Sequence, residues 1–308
     1  MEQQVAEPNS THMSWSFKAG VVVCLIAAMC GNVFAQKTPG GGHVEQHRGQ
    51  PPFRIFGNTF YVGSHELSSM LLTSTSGHVL IDGDLPESAG LIAGNIRSLG
   101  FRIEDVKLIV NSHVHFDHAG GIAELQRQSG ARVLASDWSA EVLKKGGVGK
   151  GDPQYGTLTP IAAVKNVGTF HDGESLHVGD IILTPHLTPG HTPGGTSWTW
   201  KTCEGKVCYD FVYADSLNPI SAPGFRFSDS REYPHAVEDF RKSFAFFDTV
   251  PCDVLITAHP EVSGLWDRLK LRKKGEKLDP LVDSGACRKL AESGREKLRQ
   301  RLAEEGKR

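Results

Sequence analysis

The most informative segment of the chain is Asn111-Ser112-His113-Val114-His115-Phe116-Asp117-His118-Ala119-Gly120-Gly121. It follows an apolar run at 107–110 and supplies three imidazoles and one carboxylate within six residues, before two glycines and a helical pattern. His113 and His115, two residues apart on extended backbone, project to the same side. The turn that follows lets Asp117 and His118 point to a neighbouring position. This spacing predicts two adjacent metal sites, and imidazole with limited carboxylate favours zinc over magnesium or calcium.

Each of these sites needs a further ligand, and two other histidines are candidates. His191 lies in the Gly/Pro-rich loop 188–194 after a strand, and His259 lies between Ala258 and Pro260 at the end of another strand. Functional residues concentrate in such loops. The remaining histidines are interpreted as structural residues of strands or helix starts (His171, His177, His186, His235) or as surface or loop residues (His43, His47, His65, His78).

Strand-like and helix-like patterns alternate twice around this segment. Before the turn-rich stretch 146–156, they predict strands at 59–62, 69–73, 79–81, 107–110 and 132–135, and helices at 87–99, 121–128 and 139–145. After it, they predict strands at 181–183, 196–200, 209–213 and 254–257, and helices at 235–247 and from 285 to about 305. Two such halves predict an α/β fold in which two mixed sheets pack face to face with helices outside, a four-layer αβ/βα sandwich.

The N-terminal region has the pattern of an export signal. Lys18 precedes an apolar run at 19–29, and the small or compact residues at 33–35 offer a cleavage site before Gln36. The apolar run is too short for a membrane span. We therefore expect a periplasmic or secreted protein with no stable membrane association once the signal is removed.

This interpretation divides the chain into a signal peptide region at 1–35, a flexible lead-in at 36–52 and one domain at 53–308. Met13 has the position of a more natural start, so the first twelve residues are either an upstream start or an extended signal. A lipid anchor on Cys24 or Cys30 is a further alternative, although the residues before them are not the small ones that a lipoprotein cleavage site prefers.

Four cysteines follow the signal region: Cys203, Cys208, Cys252 and Cys287. An even number in an exported chain suggests disulfides. Cys203 and Cys208 flank a turn between two apolar stretches, so closure across a hairpin is natural, which leaves Cys252 near the last strand to pair with Cys287 in the C-terminal helix. Free buried thiols are the alternative. A four-cysteine zinc site is disfavoured because neither pair has the Cys-x-x-Cys spacing.

The composition is that of an ordinary globular protein, with 39% hydrophobic and 22% charged residues in 308. A formal net charge of -2 leaves no broad basic surface for phosphates, which excludes nucleic acid as a partner class. We expect a monomer that acts on a small molecule.

The His-x-His-x-Asp-His motif, the loop histidine and the strand-end histidine together resemble the metallo-β-lactamase superfamily over roughly residues 53–270. The resemblance implies two zinc ions, the first bound by His113, His115 and His191 and the second by Asp117, His118 and His259. Asp117 and His118 are then the catalytic residues of the second site. Asp82, in Leu80-Ile81-Asp82-Gly83, resembles the carboxylate that orients the metal ligands in this family, or is simply a turn residue.

Three features resemble the third subclass of zinc β-lactamases. The first is His113 as the first ligand, with His118 completing the second site. The second is the segment Tyr213-Ala214-Asp215-Ser216-Leu217, which has Ser where other subclasses have a zinc-binding Cys. The third is the Cys252/Cys287 pair. The chain departs from the pattern at Asn218-Pro219-Ile220, which lengthens the loop before Ser221. Candidate contacts with the substrate carboxylate are Ser216, Ser221 and Asn218, each of which could instead satisfy loop backbone.

The resemblance implies zinc-dependent hydrolysis of the amide bond of β-lactams (penicillins, cephalosporins, carbapenems) by a metal-bound hydroxide, and thereby antibiotic resistance. No Gly-x-Ser-x-Gly or Ser-x-x-Lys element accompanies Ser216, so a serine mechanism is unsupported.

Three alternatives use the same two-metal site: a lactonase, a glyoxalase II-like thioesterase and a phosphodiesterase. In the lactonase and thioesterase relatives an Asp at about the place of Asp215 bridges both metals, so a bridging Asp215 favours ester substrates and an orienting Asp215 favours lactams. A non-catalytic zinc protein is an alternative of another class, against which the open coordination positions expected at such a site argue.

Overall fold

The computed structural model describes residues 48–273 and 279–307, and within these ranges it contains two mixed β-sheets. The seven strands of the first sheet lie in chain order: β1 (Phe53–Phe56), β2 (Thr59–Tyr61), β3 (Met70–Ser74), β4 (Gly77–Ile81), β5 (Val106–Val110), β6 (Arg132–Ala135) and β7 (Val167–Thr169). Strands β1 to β4 pair antiparallel, whereas β4 to β7 pair parallel.

The second sheet has the order β12-β11-β10-β9-β8, in which β11 and β12 are parallel and the other pairs are antiparallel. Its strands are β8 (Leu176–Val178), β9 (Ile181–Leu187), β10 (Thr196–Glu204), β11 (Val207–Ala214) and β12 (Val254–Thr257). The α-helices of the described residues are α1 (Ala89–Ser98), α2 (Phe116–Ala119), α3 (Ile122–Ser129), α4 (Asp137–Lys145), α5 (Ala236–Thr249), α6 (Leu265–Lys273) and α7 (Ala286–Glu305).

The alternation of side chains along each strand produces three apolar cores. Val79 and Ile81 of β4 face the core between the two sheets, while Leu80 between them faces a core under α1, α3 and α4. Phe211 of β11 faces the central core, and its neighbour Val212 faces a third core under α5 and α7. Both sheets are therefore buried on both faces, and the predicted four-layer sandwich is confirmed.

Most predicted elements are present within one to four residues of their expected ends, and β6 and β12 have the predicted bounds. Five short elements, β1, β7, β8, α2 and α6, were not predicted from the sequence. His78 was wrongly assigned to the surface: it is 6% exposed, and its ring lies 5.0 Å from that of Phe101. Residues 1–47, which include the expected signal region and most of the expected lead-in, lie outside the described residues. Within the described residues, no helix is long and apolar enough to cross a membrane.

Both cysteine pairs expected from the sequence form disulfides in the structure. Cys203 and Cys208 join adjacent positions of β10 and β11, which hydrogen bonds already hold together. Cys252 and Cys287 connect the segment before β12 to the first turn of α7, at a sequence separation of 35.

Replacement of both Cys252 and Cys287 by serine is expected to lower the free energy of unfolding by about 4 kcal/mol, because the bond closes a long loop in the unfolded chain. The Cys203→Ser/Cys208→Ser variant is the matched control, with an expected loss of about 2 kcal/mol for its shorter loop. Denaturant unfolding of both variants measures these values. An equal loss in the two would contradict the loop-length argument.

Candidate metal centre and active-site cleft

The predicted metal ligands all follow the carboxyl ends of strands. His113 and His115 follow β5, His191 follows β9, and His259 follows β12. Strands β9 and β11 are both antiparallel to β10, and β11 is parallel to β12, so β9 and β12 run in the same direction. Their carboxyl ends therefore meet at one edge of the sandwich, where loop side chains from both sheets converge.

The first donor set consists of His113, His115 and His191. Ligand nitrogens of these three buried residues lie within 4.8 Å of one another. The ring centroids are 4.5 Å apart for His113 and His115, 4.9 Å for His113 and His191, and 4.8 Å for His115 and His191. Three neutral imidazoles around one point are a common zinc ligand set.

The second donor set consists of Asp117, His118 and His259. The Nε2 atoms of His118 and His259 are 3.2 Å apart, and they lie 3.3 Å and 3.5 Å, respectively, from Asp117 Oδ2. The rings of His113 and His118 are 4.3 Å apart, so the two sets are adjacent. The structure thus brings together all six residues that the sequence proposed as ligands.

Four of the five imidazoles are hydrogen-bonded at the outward-facing nitrogen, and that of His118 (Nδ1) faces a carboxylate without a hydrogen bond, which leaves the other nitrogen of each ring for a metal. His113 Nδ1 lies 2.8 Å from Asp215 Oδ1, and its buried Nε2 has no hydrogen-bond partner. His191 Nδ1 donates to the backbone oxygen of Asn218 at 2.8 Å. The other partners are Asp152 for His115 (2.9 Å), Asp82 for His118 (3.7 Å) and the backbone of Glu66 for His259. Metal-binding histidines typically have such partners.

Burial and charge prepare these groups for a cation. Burial lowers the pKa of His191 to about 3 and that of His259 to about 4, so both are neutral ligands near pH 7. At His118 burial has the same direction, but the carboxylates of Asp117 and Asp82 outweigh it and raise the pKa to about 9. The site therefore favours positive charge beside Asp117, and the donor set fits divalent zinc.

The aspartate that follows β4, Asp82, lies behind the His118 ring of the second donor set, 3.7 Å from its Nδ1 atom. Asp82 has a left-handed backbone conformation (φ 62°), which turns its side chain under the metal-binding segment. It accepts hydrogen bonds from the Ser112 backbone (2.6 Å), the Ser112 hydroxyl (2.7 Å) and the Tyr213 hydroxyl (2.7 Å). The fully buried Asp82 thus connects both sheets to His118.

A comparison with protein families identifies the fold that carries this site. The family model of the metallo-beta-lactamase superfamily matches residues 66–259. The chain belongs to the metallo-β-lactamase superfamily. It is accordingly a metal-dependent hydrolase, and the match spans Asp82 and all six donor residues.

Solved structures show which members of the superfamily the chain resembles. It is 55% identical to Rm3 metallo-beta-lactamase, with coverage of 85% of this chain and 97% of that one and a TM-score of 0.83. It is 49% identical to MEM-A1, a subclass B3 metallo-beta-lactamase from a soil metagenome library, with coverage of 85% and 98% and a TM-score of 0.82. The resemblance to the third subclass is thus confirmed.

More distant similarity extends to another activity of the superfamily. The chain is 27% identical over 189 residues to the N-acyl homoserine lactonase AttM of Azorhizobium caulinodans, an alignment that covers 50% of this chain and 68% of that protein.

Five of the six donor residues of this metallo-β-lactamase superfamily member, all except the buried His118, line a cleft of about 370 Å³. Ser216 and Asn218, two of the three candidate substrate contacts, line it. Ser221 does not: its hydroxyl accepts a hydrogen bond from Arg301 (2.7 Å) and donates to the Ala222 carbonyl (3.2 Å). Substrate contact at all three positions stays a prediction, but the loop-backbone alternative describes the surroundings of Ser221 and also of Ser216, whose hydroxyl accepts from the Asn218 backbone N–H at 3.3 Å.

Asp215 fits its buried position because Gly195 has no side chain. A Cβ atom at Gly195 would lie 2.2 Å from Asp215 Oδ2 and 2.8 Å from the Thr188 carbonyl. The Asp215 carboxylate is fully buried beside His113, and burial raises its pKa well above the ordinary value. Among the described residues, the groups whose ligand atoms lie within 4.8 Å of one another are His113/His115/His191 and His113/Asp117/His118, and Asp215 belongs to neither.

Sequence reasoning missed Asp152, whose carboxylate contacts His115. It is one Asp in a turn-rich stretch with no metal-site pattern, and only the folded chain places it, 2% exposed, beside the ring. Asp152→Asn is expected to weaken metal binding by about 10–100-fold, because the carboxylate orients His115 and increases its basicity. Competition with a chromophoric chelator measures the change. The exposed Asp180→Asn is the control, and an equal change in both variants would contradict the assignment.

Proposed function

We propose that the protein is an exported zinc β-lactamase of the third subclass, which hydrolyses the amide bond of penicillins, cephalosporins and carbapenems and thereby protects against these antibiotics. The observation that carries this proposal is the position of Asp215. Its carboxylate lies on the Nδ1 side of the His113 ring, 2.8 Å away, whereas the nitrogen left for a metal is Nε2. This position supports a role for Asp215 in orienting a ligand rather than in bridging the two donor sets.

This arrangement leaves one ligand carboxylate, that of Asp117, for two divalent cations. His113, His115 and His191 would hold the first zinc, and Asp117, His118 and His259 the second. When bound, the ions supply Lewis acidity, which lowers the pKa of water and polarises a carbonyl group. With Asp215 outside the donor sets, little of their charge is compensated, which suits attack on an amide, a poorer electrophile than an ester.

The chain itself contributes positioning and the exclusion of water. The hydrogen-bond partners on the outer nitrogens of His113, His115, His191 and His259 fix the orientation of these rings, so that little reorganisation is needed during the reaction. Phe116, Leu217 and Ile220 give the cleft apolar walls beside the polar donor sets. Its volume lies in the range of small-molecule sites.

Lactone hydrolysis is the second candidate, because the similarity to N-acyl homoserine lactonase AttM includes the same region of the chain. A thioesterase of glyoxalase II type has the same chemical requirements. The identity is lower and the aligned share of this chain smaller than for Rm3 and MEM-A1. The Asp215 position also favours lactams over these substrates.

The zinc-loaded full-length protein, assayed against one penicillin, one cephalosporin, one carbapenem, one acyl homoserine lactone and one thioester, tests the proposal. We expect turnover of the β-lactams that stops on addition of a chelator and returns with zinc. Turnover of the lactone or thioester alone would replace the β-lactamase assignment. Two bound zinc ions without turnover of any substrate would support a non-catalytic zinc protein.

Export is part of the proposal and is supported by the sequence of residues 18–35. We expect the mature protein to begin at Gln36 and to be recovered from the periplasm or the medium. N-terminal sequencing of the protein from each cell fraction measures this. Recovery from the cytoplasm with an intact N-terminus would contradict it.

A further inference from the structure

The C-terminal helix α7 forms one wall of the active-site cleft. Its cleft-lining residues are Leu290, Ser293, Gly294 and Lys297. Their spacing of three, one and three residues places them on one face of the helix. The cleft is therefore not bounded by loops alone, and a long helix from the end of the chain presents side chains to the substrate.

Close packing fixes the position of this wall. A Cβ atom at Gly294 would lie 2.7 Å from the Phe244 ring and 3.1 Å from Leu217 Cβ, so α7 approaches the Ser216–Leu217 segment more closely than another residue would allow. The Cys252–Cys287 disulfide holds the first turn of α7. At the other end, the Glu305 carboxylate accepts from the backbone of Phe227 and Ser228 at 3.0 and 2.9 Å.

Lys297 is the only lysine or arginine among the residues that line the cleft in the described part of the chain. Four other cations of α7 are ion-paired: Lys289 with Asp283, Arg295 with Asp248, Arg299 with Glu296 and Arg301 with Glu305. Arg288 is exposed and forms no ion pair among the described residues, but it does not line the cleft. Lys297 is exposed and has no carboxylate within 4.0 Å in the same described residues. Its charge is thus free to meet an anion in the cleft.

The other charged groups of the cleft do not serve this purpose. Asp117 and Asp215 are engaged at the donor sets, and Glu261 adds a negative charge at the rim. Ser216 and Asn218 offer neutral hydrogen bonds only. Apart from the metal-binding histidines, Lys297 is the one lining residue that can neutralise a carboxylate.

We propose that Lys297 binds the carboxylate of the substrate and thereby selects anionic β-lactams. This inference rests on the proposed β-lactamase function. A lysine ammonium and a carboxylate form a charge-assisted hydrogen bond, which fixes the end of the substrate away from the donor sets. Because the contact is present in the ground state and the transition state alike, its loss raises KM and leaves kcat nearly unchanged.

Steady-state kinetics of zinc-loaded Lys297→Gln with one cephalosporin and with its neutral methyl ester test the inference. For the acid we expect KM to rise by about tenfold, and for the ester we expect no change. Lys297→Arg retains the charge and should keep a KM near that of the unmodified protein. Lys289→Gln removes the same charge from the same helix outside the cleft and should leave KM unchanged.

The outcomes separate this inference from the function on which it rests. If the unmodified protein hydrolyses the cephalosporin but Lys297→Gln has the same KM for the acid, or an equal change for acid and ester, the Lys297 assignment is wrong and the β-lactamase function stands. If the zinc-loaded unmodified protein hydrolyses no β-lactam, the proposed function is wrong and the carboxylate assignment is wrong with it.

Discussion

Replacement of His118 by alanine is expected to lower kcat/KM of the zinc-loaded protein by about a thousandfold, because one Lewis-acidic cation contributes several kcal/mol to catalysis. His118 is fully buried, and its Nε2 lies 3.2 Å from His259 and 3.3 Å from Asp117. Without it the second donor set retains one carboxylate and one partly exposed imidazole. Bound zinc should therefore fall from about two ions per chain to about one.

The control for this prediction is His177→Ala, which removes an exposed histidine of β8. It should retain both bound zinc ions and full activity. Metal analysis after gel filtration and steady-state kinetics measure the two effects together. A His118→Ala protein that binds two zinc ions and keeps its activity would show that the second donor set is assigned to the wrong residues.

Most of the donor set could be predicted because its information is local. His113, His115, Asp117 and His118 lie within six residues, and the geometry of a strand followed by a turn determines where each side chain points. His191 and His259 are distant in sequence, and their positions in loops after strands made them candidates only because the local cluster needed further ligands. Parallel directions of β9 and β12 then bring both to the same edge.

The groups around the ligands could not be predicted, because contacts across the two sheets determine them. Asp152 reaches His115 from a turn-rich stretch that has no regular pattern. The Asn218 contact to His191 uses a backbone oxygen, which every residue possesses. Lys297 lies far along the chain from His118, in a helix whose charged pattern is typical of a solvated face. Only tertiary packing shows that this face borders the cleft.

Short elements were missed for a different reason. Strands β7 and β8 contain three residues each, too few to establish an alternating pattern. Helix α6 is rich in Lys and Arg, with Leu265 and Leu269 as its buried anchors in the core between the sheets. These elements are stabilised by their neighbours more than by their own sequence.

Replacement of Asp82 by alanine is expected to lower both the free energy of unfolding and the affinity for zinc. Asp82→Ala would leave the buried Ser112 backbone N–H without its acceptor and would remove one partner from the Ser112 and Tyr213 hydroxyls, which retain His113 Nδ1 and the Ser68 carbonyl, respectively. It would also place alanine in a left-handed conformation (φ 62°). Together these effects should lower the free energy of unfolding by about 3–5 kcal/mol. Metal affinity should fall by about 10–100-fold, because the carboxylate beside His118 Nδ1 is lost.

Asp84 offers a matched control two residues along the chain. It is also fully buried with a positive φ (59°), and it accepts from the backbone of Ser64 and Leu85 instead of supporting a ligand. Asp84→Ala should therefore destabilise the fold by a similar mechanism but retain zinc affinity in the protein that remains folded. Denaturant unfolding and zinc competition on both variants separate the two roles. Equal loss of zinc affinity in both would mean that Asp82 acts only through the stability of the turn, and that His118 needs no carboxylate behind it.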